Sequence, residues 1–171
     1  MRIDEIKTPE EVFFLFSSVC LEGKLKLHKI TKPEYERVMQ EYSSKRIIPP
    51  RSWFEEIFED AIRRQKSYGL ANFNSDNVWD LNLQLHYWMP NGQHNKALLD
   101  EYNQNPKEQP LAHVRFCSTY LGEVTKVEDN QYQMRFEGNR LRTISKGFVS
   151  DAKIGDKLIV HRWKAIVYGK K

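Results

Sequence analysis

Gln131-Tyr132-Gln133-Met134-Arg135-Phe136-Glu137-Gly138-Asn139-Arg140-Leu141-Arg142-Thr143-Ile144-Ser145 is the stretch that decides the fold. Two runs of alternating polar and apolar residues flank a Glu-Gly-Asn turn signal, which predicts two short strands joined by a tight turn. The pattern continues outward in both directions. Runs at 112–116, 120–128 and 157–167 also read as strands, and Glu128-Asp129-Asn130 and Ile154-Gly155-Asp156 supply further turns. Five short strands within sixty residues predict a small antiparallel β-barrel of the OB or SH3-like kind over 111–171. Closure is the favoured arrangement because it leaves no exposed strand edge.

Upstream, the polar, proline-bounded segment 105–110 reads as a linker, so 1–104 forms a separate domain. Three helix starts are marked there. Thr8-Pro9-Glu10-Glu11, Thr31-Lys32-Pro33-Glu34 and Ser52-Trp53-Phe54-Glu55 each place a hydroxyl three residues before a glutamate, as a capping box requires. The helices expected from them run to about Leu21 with a stop at Gly23, over 33–42, and over 53–66. A further short helix is expected over 95–102. Strands are expected at 25–30, 68–73 and 79–87. The last alternates Trp79, Leu81, Leu83, Leu85 and Tyr87 with polar residues, and a helical reading through Val78, Leu81, Leu85 and Trp88 competes with it. This order of elements resembles the winged-helix arrangement. The expected class is α+β: a winged-helix-like helical part followed by a small barrel.

The chain has 171 residues, 40% of them hydrophobic and 12% aromatic, which suits a globular protein with its own core. No apolar run is long enough to cross a bilayer, and the N-terminus carries acids where a secretion signal needs an apolar stretch. A cytoplasmic protein with no membrane partner is expected, its two cysteines, Cys20 and Cys117, free. Charge is unevenly distributed. Residues 1–110 hold 15 Lys+Arg against 17 Asp+Glu, and 111–171 hold 12 against 6. A basic C-terminal part suggests a polyanionic partner.

Within that part, Arg135, Arg140, Arg142, Lys146, Lys153, Lys157, Arg162 and Lys164 interleave with Tyr120, Tyr132, Phe136, Phe148, Trp163 and Tyr168. Cations that track phosphates, mixed with rings that stack on bases, are the ingredients of an RNA or DNA surface. The expected contacts are Arg135, Arg140, Arg142, Lys146, Lys157, Arg162, Trp163 and Lys164. The competing reading makes the rings core and the cations a solvated face. The third N-terminal helix would present Glu55, Glu56, Glu59 and Asp60 outward, which repels phosphates, so the front part is expected to contact a protein partner or itself.

Cys117, Gly122-Glu123-Val124, Phe136-Glu137-Gly138, Gly155-Asp156-Lys157-Leu158-Ile159-Val160-His161 and Ala165-Ile166 together resemble the HypC/HupF hydrogenase-maturation chaperones over about fifty residues. That resemblance implies an OB-like barrel and a role in metalloenzyme assembly, with Cys117 and His161 as candidate ligands of iron. Otherwise no cofactor is expected. Cys117 also fits as a small buried hydrophobe, and His161 as a strand histidine bonded to a backbone carbonyl.

Signatures of catalysis are absent: there is no phosphate-cradling glycine loop, no GxSxG and no HExxH. A strand over 112–116 would separate His113 from Cys117 by roughly 13 Å, too far for proton transfer. A non-catalytic nucleic-acid-binding or regulatory protein is expected, with a HypC-like assembly chaperone or a plain protein–protein adaptor as the alternative.

Overall fold

The computed structural model describes residues 1–107 and 111–169 and divides into two compact units. One is 8–84; the other joins 1–7 to 85–171. The division falls at Leu85, and of the expected linker 105–110, residues 108–110 lie outside the described residues.

The unit 8–84 is helical. Helices α1 (Pro9–Ser17) and α3 (Lys32–Lys45) start at the predicted caps. The Glu11 and Glu34 backbone N–H groups donate to Thr8 and Thr31 Oγ1, each at 3.3 Å. The third box does not form. Helix α4 (Arg51–Ile57) begins after Pro50 with no side-chain cap, breaks at Phe58, and is followed by α5 (Glu59–Phe73).

The predicted strands in this part are helices or turns. Residues 21–26 form α2 (Leu21–Lys26), which contains Gly23, and the left-handed stop falls later, at His28 with φ 54°. Residues 68–73 are the last turns of α5, and 81–88 form α6 (Leu81–Trp88). With no strand among the described residues of 8–84, the winged-helix order is not present.

Aromatic packing holds this unit together. α1 is buried from Val12 to Ser17, and the Phe13 ring lies 5.2 Å from Phe54, 5.7 Å from Phe58 and 5.5 Å from Trp79. Gln65 and Gln84, both fully buried, share their amides: Gln84 Nε2 donates to Gln65 Oε1 at 2.8 Å and to the Val78 carbonyl at 2.7 Å. At Gly69 a side chain has no room, because a Cβ would sit 2.3 Å from the Ser75 carbonyl oxygen.

In the other unit, α7 (Gln93–Gln104) covers the expected helix at 95–102. The expected strand at 112–116 is α8 (Leu111–Cys117). The two helices pack through Leu98, Val114 and Cys117.

Five strands follow: β1 (Thr119–Val127), β2 (Gln131–Phe136), β3 (Arg140–Ser145), β4 (Lys157–His161) and β5 (Lys164–Tyr168). The run 157–167 is thus two strands joined by a two-residue turn. Pairing follows β1-β2-β3-β5-β4, with β4 also paired to β1, so the sheet closes on itself. It is mixed, because β3 and β5 meet in parallel at Ser145 and Lys164.

β1 serves both sides. It pairs with β4 through Thr119–Glu123 and with β2 through Glu123–Val127, bending at an irregularity between Val124 and Lys126. Val124, Tyr132, Met134, Ile144, Leu158, Val160 and Ala165 fill the interior. Tyr132 fastens the long β3–β4 connection: its hydroxyl donates to the Val149 carbonyl at 3.0 Å and accepts from the Ala152 N–H at 3.1 Å.

Among the described residues no helix is long and apolar enough to cross a membrane.

Candidate functional site

Residues opposite one another in an antiparallel pair share a face of the sheet. Tyr132, Met134 and Phe136 of β2 stand opposite Ile144, Arg142 and Arg140 of β3. Ile144 is buried in the interior, while Arg142 and Arg140 carry the same face outward into solvent. The inner face of the sheet therefore changes from apolar to cationic along β3.

β1 completes this end. Tyr120, Gly122 and Val124 alternate inward, and Val124 pairs with Met134. A Cβ at Gly122 would lie 2.6 Å from Cε1 of Phe136. Glycine there allows the Phe136 ring to lie directly against the strand. The rings of Tyr120 and Trp163 stack, with centroids 5.4 Å apart and planes 5° apart, and Phe136 meets both edge-on.

Tyr120, Phe136, Trp163, Arg140, Arg142 and Arg115 of α8 line a cavity of about 180 Å³. The Tyr120 hydroxyl donates to the Arg115 carbonyl at 2.8 Å, tying the end of α8 to the cavity wall. Arg140 Nε donates to the Glu137 backbone carbonyl at 3.1 Å. None of the ion pairs among the described residues involves Arg115, Arg140 or Arg142. A second cavity, of about 580 Å³, shares Tyr120, Phe136 and Arg140 with the first and adds Met89, Leu121 and Glu137, among others.

Of the eight contacts expected from the sequence, the structure brings Arg140, Arg142 and Trp163 together. The others spread over the unit. Arg135 is exposed and pairs in register with Glu123. Lys157 pairs with the same Glu123 from β4. Lys146 sits over the Tyr132 ring at 5.2 Å, and the Arg162 guanidinium over Phe116 at 4.7 Å. Lys164 opens β5 opposite His161. Arg115 is not among the contacts the sequence suggests, because a strand over 112–116 does not bring it to this face. The helical signal available is the apolar spacing Leu111, Val114 and Cys117, three residues apart, which packs as one face with Leu98.

Cys117 and His161, the ligands implied by the resemblance, are both buried. Cys117 Sγ lies 3.5 Å from His113 Nε2, because the helix brings residues four apart together where a strand would separate them. The His161 ring lies 5.2 Å from that of His94 and 5.8 Å from that of Trp88. Among the described residues no three His, Cys, Asp or Glu side chains come together to hold a metal ion.

The start of β1 is held by a side chain. Asn95 of α7 accepts the Thr119 N–H at 2.7 Å and donates to its carbonyl at 2.8 Å, as a neighbouring strand would. Three tyrosines have their hydroxyl pKa raised above the usual 10.0. Burial and then Glu11 push Tyr42 up to about 12. Burial and then the hydrogen bond to Asp151 push Tyr168 further, and burial raises Tyr132.

No protein-family model matches this chain, and no curated protein matches it either.

Proposed function

We propose that the protein binds single-stranded nucleic acid at the cavity formed by β1, β2, β3 and the β4–β5 turn, and that the closed sheet is an OB-like barrel. One observation carries this reading: Arg115, Arg140 and Arg142 converge, without acidic partners, on a cavity walled by Tyr120, Phe136 and Trp163. Guanidinium groups that no carboxylate neutralises attract phosphate oxygens, and aromatic rings set beside them are the side chains on which bases stack.

The reading is supported from a second direction. In OB-folds the face of strands two and three and the turn between strands four and five meet the oligonucleotide, and this cavity draws on the equivalent places. That turn is made of Arg162 and Trp163, with φ of 50° and 56°. A two-residue turn with both residues left-handed favours Asn-Gly. Bulky side chains there impose backbone strain of a kind found at binding sites. The helical unit 8–84, whose acids Glu55, Glu56, Glu59 and Asp60 are exposed, suits a protein partner better than a phosphate chain.

Titrating the protein with a short single-stranded oligonucleotide tests this reading. Tryptophan emission should be quenched on binding, and Trp163→Phe should remove most of that quenching. Arg140→Ala/Arg142→Ala should weaken binding at least tenfold at low salt. Equal affinity of the double variant and the parent protein would overturn the proposal.

A further inference from the structure

The two cavities are neighbours, and their chemistry differs. Arginines dominate the smaller one, while the larger one carries an acid, Glu137, at the β2–β3 turn. A carboxylate is a poor neighbour for a phosphate and a good acceptor for the N–H groups of a base. Asn95 also borders the larger cavity, but its amide is occupied by Pro90 and Thr119, to which it donates at 2.6 and 2.8 Å. The charged and amide side chains left to meet a ligand there are Glu137, Asn91 and Arg140, the last shared with the smaller cavity. Met89, Pro90, Leu121 and Phe136 supply apolar walls, and about 580 Å³ is ample for one nucleoside.

Resting on the nucleic-acid reading above, we propose that the larger cavity selects guanine and that Glu137 determines the selection. Arg140 stands between the two cavities, with Tyr120 and Phe136 beside it. A phosphate held by Arg115, Arg140 and Arg142 directs its nucleoside across those rings into the second cavity. Guanine presents two adjacent donors, N1–H and the N2 amino group, which a carboxylate accepts together. Adenine and uracil present no such pair, and cytosine offers its amino group alone. Asn91, at the other side, can donate or accept toward the remaining edge.

The test uses the full chain and short uridine oligonucleotides carrying G, A, C or U at one central position. The G-containing strand should bind roughly tenfold or more tightly than the all-uridine strand. In Glu137→Gln that ratio should fall toward one, while affinity for the all-uridine strand holds or rises because a negative charge is gone. Glu137 is exposed in a turn, so the variant should fold as the parent does. Equal binding of all four strands by the parent, or an unchanged ratio in Glu137→Gln, overturns the guanine assignment and leaves the nucleic-acid reading standing. Failure of every strand to bind overturns both.

Discussion

Arg140 and Arg142 lie on one face of β3, and the reason is local. A residue two positions along a strand returns to the same face, so two arginines around Leu141 had to share one. Which face they would share was not legible, because an arginine on the inner face of a sheet departs from the usual alternation. It is tolerated here because it lies beyond Ile144, at the open end of the interior. Arg135, equally basic and one strand away, belongs to the opposite face for the same geometric reason. The tyrosines allow a sharper check at this scale. Because the folded state raises the pKa of Tyr42, it favours the neutral hydroxyl. The stability this contributes is present below pH 10 and is lost as pH rises toward 12. Ultraviolet titration of tyrosinate should show Tyr42, Tyr132 and Tyr168 ionising later than a free tyrosine, and Tyr42→Phe should remove one late step. Complete ionisation centred at pH 10 while the protein remains folded would contradict the described burial.

At the scale of elements, the sheet was legible and much of the helical part was not. The strands β1 to β3 are bounded by turn residues and β2 alternates cleanly, whereas 79–87 alternates and is still helical. Its buried positions are Leu83, Gln84, Tyr87 and Trp88, spaced as a helix spaces one face. The polar member, Gln84, hid that face from any reading of apolar residues. Asp80 gave the better signal, since its carboxylate accepts the Leu83 N–H at 2.8 Å and so caps α6. The Gln65–Gln84 pair is also where this packing is most exposed to mutation. Gln84→Leu should leave the Gln65 amide without its partner and lower stability by about 1–3 kcal/mol, and Gln65→Leu/Gln84→Leu should recover part of it. Denaturant melts of the two variants measure this. A double variant no more stable than the single one would show that the pair does not act as a unit.

For the whole molecule, charge asymmetry is the broadest property legible in the sequence, and the fold gathers only part of that charge in one place. Twelve basic residues in the last part suggest a polyanionic partner, and of them three arginines gather with one tryptophan at the small cavity. Contacts between distant segments decided this, and no local pattern encodes them: Arg115 comes from α8, Arg140 and Arg142 from β3, and Trp163 from the β4–β5 turn. The placement of the division between units was hidden similarly, because α7 belongs with the sheet through Asn95 and Thr119. The most direct measurement of the central claim is the salt dependence of single-strand binding, for the parent and for Arg115→Ala/Arg140→Ala/Arg142→Ala. If the three arginines each neutralise one phosphate, the slope of log affinity against log salt should be shallower in the triple variant by about 2. Identical slopes for the two proteins would contradict it.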